Sequence, residues 1–386
     1  MDDSEVTYLD YAATTPVYNK VLEAMLPYFS HAFGNPSSLH GKGHEAKIAV
    51  EEARAKIAGF IGASPGEIYF TSGGTEANNL VINGIALANR KKGDHIITSS
   101  VEHHSVLDAC RFLEETGYRL TYLPVDRFGV VDPDKVRRAI TDETIIISIM
   151  HANNEVGTIE PIAEIGYIAR EKGVPFHTDA VQTLGHVPVN VDDLNIDALS
   201  ASAHKLYGPK GVGIAYVRKG VRLTPMLLGG EQERHYRAGT ENVPGIVGFG
   251  RAVDIASEAM KNEADALARM RDRLIEECIS LVEGACLNGH PSERLPNNVN
   301  ISIEGVSGEA MLIALRLEGI CASNGSACNS SSTEPSHVLL SMGLPVESAR
   351  GALRFTLGRG TTDRDIDAVL EALPPIVQRY RLFHRI

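Results

Sequence analysis

A lysine that directly follows a histidine, Lys205 after His204, lies in the most unusual stretch of the sequence. Residues 200–211 read Ser-Ala-Ser-Ala-His-Lys-Leu-Tyr-Gly-Pro-Lys-Gly, with small residues before the pair and a Gly-Pro turn after it. A lysine desolvated in such a setting loses its proton more readily and becomes a nucleophile towards an aldehyde. Since a lone lysine is normally a solvated surface residue, this interpretation needs further groups.

A second candidate is Asp179, in Phe-His-Thr-Asp-Ala-Val-Gln over residues 176–182, at the C-terminal end of an apolar segment that predicts a strand. Open parallel sheets bind ligands at that edge. A carboxylate beside a pyridine nitrogen keeps that nitrogen protonated, because opposite charges favour both ionised forms. The alternative is an aspartate that only caps the next helix.

A third candidate is the turn over residues 71–78, Thr-Ser-Gly-Gly-Thr-Glu-Ala-Asn, between a predicted strand and a helix that begins near Thr75. Its backbone N–H groups, the helix N-terminus and the Thr75 hydroxyl suit a phosphate, although a plain capped turn is an equal alternative. No lysine follows the second glycine, so the turn is not a P-loop. Together with Lys205 and Asp179 it indicates pyridoxal phosphate, whose protonated ring withdraws electrons from the carbon beside a bound amine.

Histidines also lie at predicted strand ends. Either His103 or His104 could stack on a flat ring or carry protons near neutral pH. A metal site is the alternative, and it would draw on the remaining strand-end histidines, His151, His177 and His204. We expect no metal, because no His-x-x-x-His or Cys-x-x-Cys spacing occurs.

One of the five cysteines, Cys328, lies in a Ser-rich stretch over residues 322–333 without any large apolar residue. An exposed thiol on a loop is poised to react, although an accidental surface cysteine is the alternative. Helical spacing with apolar neighbours predicts that Cys110 and Cys278 are buried thiols. Cys286 and Cys321 lie near predicted strand ends, and the odd number of cysteines disfavours a disulfide framework.

Predicted strands and helices, which alternate along the chain, must position these residues. Short apolar runs alternate with helical patterns between about residues 65 and 220, which predicts a parallel sheet wrapped by helices, with strands near 67–70, 95–98, 120–123, 144–150 and 175–178. Beyond about residue 250 the pattern predicts a smaller α+β domain, with helices over 251–282, 309–317 and from 362, and a strand near 299–303. We predict an α/β protein with a large domain over 15–250 and a small domain formed by 1–14 and 251–386.

The composition of the chain argues against several classes of protein function. The 386 residues are 43% hydrophobic and carry a net charge of -12, which argues against binding to nucleic acid or to a membrane surface. The acidic N-terminus lacks the order of a signal peptide, and the densest apolar run, residues 145–150, is too short to span a bilayer. We therefore expect a cytoplasmic enzyme.

Taken together, these motifs resemble the cysteine desulfurases of the nitrogen-fixation and iron–sulfur cluster assembly type, which belong to the class-V aminotransferases. The resemblance runs nearly end to end. Its markers are the segments 8–16, 34–40, 153–157, 237–240, 325–328 and 353–355, together with Gly73, His103, Asp179, Gln182, His204 and Lys205.

The resemblance implies a fold-type-I pyridoxal phosphate transferase with a mainly parallel, seven-stranded sheet, working as a homodimer with active sites at the subunit interface. It implies that Lys205 is the Schiff-base lysine, that Asp179 pairs with the ring nitrogen and that His103 stacks on the ring and moves protons. The remaining implied roles are phosphate binding by Gly74, Thr75, Ser202, His204 and Thr240 from the other subunit, a bond from Gln182 to the phenolic oxygen, and substrate binding by Asn154, Arg354 and Asn35.

The implied reaction is attack by Cys328 on the sulfur of cofactor-bound L-cysteine, which leaves L-alanine and a persulfide on the enzyme. The sulfur would pass to an acceptor or scaffold protein for iron–sulfur cluster assembly or another transfer. Cys328 as a transient cluster ligand is a minor hypothesis. Asn324 stands where many relatives have Ser or Thr, and the chain ends at Ile386 without the longer tail through which some relatives dock a scaffold, so scaffold docking stays open.

Other functions remain as alternatives at this point. An aminotransferase or a selenocysteine lyase would share the fold, a metal-dependent hydrolase would use the histidines, and a non-catalytic interaction protein would keep the fold alone.

Overall fold

A computed structural model describes residues 6–325 and 335–383, and these form a mixed α/β protein. Its strands are β1 (Thr7–Tyr8), β2 (Ile68–Thr71), β3 (His95–Ser99), β4 (Arg119–Leu123), β5 (Thr144–Ser148), β6 (Phe176–Asp179), β7 (Ala198–Ser202), β8 (Gly213–Val217), β9 (Ala285–Leu287), β10 (Asn298–Ile303), β11 (Ile320–Cys321) and β12 (Ala352–Thr356). In the described part of the chain, the central sheet has seven strands in the order β2-β8-β7-β6-β5-β3-β4. Only β8 runs antiparallel to its neighbours, so the predicted mainly parallel sheet is confirmed.

Helices cover this sheet and build the rest of the fold. They are α1 (Asn19–Met25), α2 (Pro27–Ser30), α3 (Gly41–Phe60), α4 (Gly74–Asn89), α5 (His104–Glu115), α6 (Pro133–Ala139), α7 (Ile162–Lys172), α8 (Val243–Leu281), α9 (Gly308–Leu317), α10 (His337–Ser341), α11 (Val346–Arg350) and α12 (Asp363–Phe383). The apolar residues of α4 that recur at helical spacing are buried, including Ala77, Leu80, Val81 and Ile85, as the pattern predicts. Over the described ranges, none of the helices is long and apolar enough to cross a membrane.

Helix α8 begins eight residues before the predicted start at Arg251, since the structure places its first residue at Val243. Asn242 caps it by accepting a hydrogen bond from the Gly245 backbone N–H at 3.1 Å, and a proline lies in its first turn. Gly245, Gly248 and Gly250 obscure the helical pattern at this end of the helix but allow close packing. A Cβ atom on Gly250 would lie 2.9 Å from the Cα atom of Ala53 in α3.

The same helix belongs to two hydrophobic cores. Its first half, including Phe249, packs into a core with β5, β6 and β7, whereas its second half, including Leu274, packs against the antiparallel sheet β12-β10-β9. Leu9 joins that second core, and Thr7 pairs with Ile320 of β11. The N-terminal residues therefore pack with the C-terminal part of the chain.

A buried ion pair fixes the segment that precedes α8. Arg54 of α3 and Glu233 form two hydrogen bonds of 2.8 Å, and a Glu233 oxygen also accepts from the Phe70 backbone N–H at 2.8 Å. Glu233, Arg234 and His235 all have positive φ, at 45°, 54° and 70°. Because that conformation is unfavourable for L-residues, the ion pair must help to hold it.

We expect Glu233→Leu to lower the free energy of unfolding by about 3–5 kcal/mol, because it leaves the buried Arg54 guanidinium with only the half-exposed Glu51 as a counter-charge. Urea unfolding followed by circular dichroism measures this loss. As a control, Asp108→Ala removes the exposed pair with Arg111 and should cost less than about 1 kcal/mol. Equal losses for the two variants would contradict a stabilising role of the buried pair.

Candidate active site

A cavity of about 390 Å³ lies at the carboxyl ends of β3, β5, β6 and β7. The structure brings together there most of the residues that the sequence predicts for a site, namely Gly74, Thr75, His103, Asn154, Asp179, Gln182, Ser202, His204, Lys205 and Arg354. Asn35 and Thr240 do not line this cavity in their own chain and are exposed. Cys328 lies outside the described residues.

Lys205 ends the single helical turn Ala203–Lys205 that follows β7. Its Nζ atom donates hydrogen bonds to the carbonyl of Ala12 and, at 2.8 Å, to that of Ala13. The Thr15 hydroxyl donates to the His204 carbonyl at 3.1 Å, so the N-terminal segment lies across the lysine. Sequence reasoning missed Ala12 and Ala13, because they act through backbone carbonyls and their side chains carry no chemical signal.

Asp179 ends β6, and its carboxylate is buried, with one hydrogen bond accepted by each oxygen. Oδ1 accepts from the Val181 backbone N–H at 2.9 Å, and Oδ2 accepts from Asn78 Nδ2 at 2.7 Å. The same Asn78 nitrogen donates to Ser105 Oγ at 2.8 Å. Sequence reasoning also missed Asn78, although it lies one helical turn after Thr75 and therefore on the same face of α4.

The start of α4 provides the donors for an anion. Gly73 precedes the helix and has no side chain to cap it, so the first backbone N–H groups of α4 remain available. A Cβ atom on Gly74 would lie 2.6 Å from Val181, which explains why this position needs glycine. His204 lies at the same end of the cavity, where burial, together with Lys205 and Lys210, lowers its pKa to about 4.

The hydrogen bonding of His103 determines its tautomer. Nδ1 accepts a hydrogen bond from the Ser105 backbone N–H at 3.1 Å, and a backbone N–H can only donate. The proton of the neutral ring is therefore on Nε2. Burial is the main cause that lowers the pKa of His103, and nearby Lys205 lowers it further while Asp179 opposes the shift. The neutral ring thus carries an N–H donor on Nε2.

Glu102 lies directly before His103 and is fully buried. Its Oε1 atom accepts from Ser99 Oγ at 2.6 Å and from the Met150 backbone N–H at 2.9 Å, which joins the ends of β3 and β5. Within the described ranges, Oε2 has no hydrogen-bond partner. Burial raises the pKa of this carboxyl to about 8. At neutral pH the residue that directly precedes His103 is therefore a protonated acid.

Arg354 of β12 reaches the cavity from the second core and is buried. Its two Nη atoms donate to the Asn154 carbonyl at 2.8 Å and to Asp10 Oδ1 at 2.9 Å. Its Nε atom has no partner in the described part of the chain. The guanidinium is oriented by the protein and keeps hydrogen-bonding capacity for a ligand.

Neither the described histidines nor the described cysteines belong to a cluster that could hold a metal ion. Across residues 6–325 and 335–383, no group of three or more His, Cys, Asp or Glu side chains is arranged to hold a metal ion. Cys110 and Cys278 are buried, which confirms the prediction, and burial raises the pKa of each thiol to about 12. Cys286 is exposed and Cys321 is half-buried.

Known proteins resemble this chain over nearly its whole length. The aminotransferase class-V family model matches residues 7–369. "Cysteine desulfurase IscS" of Methanosarcina thermophila is 56% identical over 379 residues, which cover 98% of this chain and 94% of that protein. The protein of the same name from Dictyoglomus turgidum is also 56% identical, with 97% and 95% covered.

Solved structures show the same likeness. A structure titled "NIFS-like protein" superposes with a TM-score of 0.91 at 39% identity, covering 97% of this chain and 99% of the other. A second structure, titled "SspA in complex with cysteine", has a TM-score of 0.82 at 41% identity, with 91% and 98% covered.

The protonated state of Glu102 predicts a pH dependence of stability. Between about pH 5 and pH 8 the folded protein keeps this proton while the unfolded chain releases it, so stability falls as pH rises and levels off above pH 8. Glu102→Gln removes this effect. We expect the wild type to lose about 1.4 kcal/mol per pH unit relative to the variant across that window.

Urea unfolding of both proteins at several pH values measures this difference. The same substitution at the exposed Glu115 serves as the control and should leave the difference from wild type constant. A constant difference for Glu102→Gln as well would mean that the buried carboxyl is ionised in the folded protein.

Proposed function

The chain belongs to the aminotransferase class-V family, and from this premise we propose that it is a cysteine desulfurase that uses pyridoxal phosphate. It removes sulfur from L-cysteine to form L-alanine and a persulfide on Cys328. The observation that carries this proposal is the single cavity that joins Lys205, Asp179 and the uncapped start of α4. The relatives named cysteine desulfurase, at 48–56% identity, support it.

The donors and acceptors in the cavity fit the cofactor. The first turn of α4 at Gly74 and Thr75, with Ser202 and His204, would hold the phosphate. The remaining groups would hold the ring, with Asp179 at the ring nitrogen, Gln182 at the phenolic oxygen, His103 on its face and Lys205 at the aldehyde. When bound, pyridoxal phosphate withdraws electrons from the substrate carbon that carries the amine.

Different residues of the chain would hold the ring, bind the substrate and transfer protons. Asn78 and the Val181 amide hold the Asp179 carboxylate in place by hydrogen bonds, and this carboxylate would face the ring nitrogen. Arg354, fixed by Asp10, would bind the substrate carboxylate with the help of Asn154. His103 holds a proton on Nε2, and Lys205 is the second group able to move one.

Cys328 supplies the nucleophile for sulfur. It lies three residues after Gly325, which lines the cavity, and three residues span at most about 11 Å. Its thiolate attacks the sulfur of L-cysteine, so a sulfur–sulfur bond forms as the carbon–sulfur bond breaks. The carbon that loses sulfur takes a proton, and alanine leaves.

Several further properties belong to the same proposal. The enzyme works as a homodimer in the cytoplasm and passes its sulfur to an acceptor or to an iron–sulfur scaffold protein. Thr240 reaches the phosphate from the partner subunit, in line with its exposed position in the single chain. The two cores support a large domain over 15–250 and a small domain formed by 1–14 and 251–386. Asn35 remains a predicted substrate contact.

We expect Cys328→Ala to keep the visible absorbance of bound pyridoxal phosphate but to lower sulfide release from cysteine by at least about 10³-fold, because the nucleophile is lost. A sulfide assay and an absorbance spectrum of the same sample measure both properties. The matched control is Cys286→Ala, which removes an exposed thiol elsewhere and should leave both unchanged. Wild-type sulfide release by Cys328→Ala would refute the persulfide reaction.

Mixing two impaired variants tests the shared site. Thr240→Ala should weaken cofactor binding and Lys205→Ala should abolish activity, so each variant alone is impaired. A mixed dimer has one complete site, with Lys205 from one subunit and Thr240 from the other, and sulfide release should return after the two proteins are unfolded and refolded together. If Thr240 serves the site of its own chain, no mixed dimer contains a complete site and activity will not return.

A further inference from the structure

The segment that carries Cys328 has two described flanks, and both meet one side chain. We define the N-terminal flank as residues 323–325 and the C-terminal flank as residues 335–337. Ser336 Oγ donates a 2.5 Å hydrogen bond to Glu155 Oε2. Gly325 lies against the same oxygen, since a Cβ atom built on it would be 2.9 Å away. Glu155 is therefore the point where the two flanks meet.

Glu155 is itself held rigidly. It is buried, and its backbone N–H donates to Asn153 Oδ1 at 2.8 Å. Its backbone carbonyl accepts from Asn300 Nδ2 at 3.0 Å and from Asn298 Nδ2 at 3.3 Å, both on β10. With the backbone fixed from two sides, the carboxylate has a defined position in the cavity wall.

The start of α10 determines that Ser336, and not Glu155, is the donor in their hydrogen bond. The Ser336 hydroxyl oxygen accepts from the Leu339 backbone N–H at 3.2 Å and so caps α10. Its proton then needs an acceptor of its own, which is Glu155. A second contact, from His337 Nε2 to the Glu102 carbonyl at 3.0 Å, ties the same flank to the end of β3.

The N-terminal flank has a matching attachment through Arg354. Ser323 pairs with Arg354 through the backbone, and Arg354 Nη1 donates to the Gly325 carbonyl at 3.3 Å. Because Arg354 also bonds to the Asn154 carbonyl, both flanks end on the segment that contains Asn154 and Glu155.

We propose that Glu155 is a positioning residue for the sulfur transfer, because its carboxylate holds the C-terminal flank through Ser336 against the N-terminal flank at Gly325. This inference rests on the proposed function and adds to it the group that holds together the described residues on either side of Cys328. Keeping the two ends of a chain segment together lowers the entropy lost when its nucleophile reaches the substrate.

Steady-state kinetics of the cofactor-loaded enzyme test this role with four variants. Glu155→Ala and Ser336→Ala remove the hydrogen bond, and each should lower kcat for sulfide release about tenfold, with KM for cysteine and the cofactor absorbance unchanged. Glu155→Gln keeps an acceptor oxygen and Ser336→Thr keeps the hydroxyl, so both should stay within about threefold of wild type. The double Ala variant should be no slower than Glu155→Ala alone, since the two residues share one bond.

Ser341→Ala is the matched control, because Ser341 lies on the same helix and donates to the Ser100 carbonyl at 3.3 Å without touching Glu155. It should have wild-type kinetics. Backbone hydrogen exchange of residues 337–341 supplies a readout that does not depend on activity. Exchange should rise at least about fivefold in Glu155→Ala and stay at the wild-type level in Glu155→Gln.

Each result decides for or against the inference. A wild-type kcat in Glu155→Ala overturns it, and faster exchange with an unchanged kcat overturns it too, because the contact would then be structural only. A loss confined to cofactor binding would also overturn it. Sulfide release that persists in Cys328→Ala is a different failure. It would refute the proposed function, while the exchange experiment would still report whether Glu155 holds the flank.

Discussion

A carboxylate that is buried at the end of a central strand is the constraint on which the site depends. Asp179 has little contact with water, so its charge must be compensated by donors that the fold brings to it. Asn78 from α4 and the Val181 amide meet this need, at 2.7 and 2.9 Å. The same contacts fix the start of α4 relative to β6. The turn at Gly74 and the carboxylate at the end of β6 are therefore positioned by one set of hydrogen bonds.

Sequence patterns predict some of the strands around this site but not others. The strands near His95 and Thr144 are apolar runs and were predictable. In contrast, β7 reads Ala-Leu-Ser-Ala-Ser, and its small residues lack the usual strand signal, although its place in the centre of the sheet leaves it fully buried. Ser202 at its end lies close to the turn before α4, since a Cβ atom on Gly74 would be 3.8 Å from the Ser202 Cβ atom.

Other parts of the site could not be predicted, because they depend on backbone atoms or on contacts between distant segments. Ala12 and Ala13 contact Lys205 through carbonyls, which any residue type could provide. Glu102 lies in a polar stretch that is typical of an exposed turn, and only the packing of β3 beside β5 reveals its burial. Ser336 and Glu155 are 181 residues apart in the chain, so local patterns carry no sign of their hydrogen bond.

Glu102 and Glu155 are acidic residues with different roles: Glu155 lines the cavity, whereas Glu102 precedes His103, which lines it. Among the residues that the structure describes, Glu102 receives donors at only one oxygen, from Ser99 and Met150, and burial favours its neutral form. Glu155 receives the Ser336 hydroxyl at the oxygen that also faces Gly325. Glu102 joins the ends of β3 and β5. Glu155 joins the cavity wall to the two flanks of the Cys328 segment. The proposed function needs both kinds of connection, because the first holds the strand ends that carry the cavity and the second holds the residues on either side of Cys328.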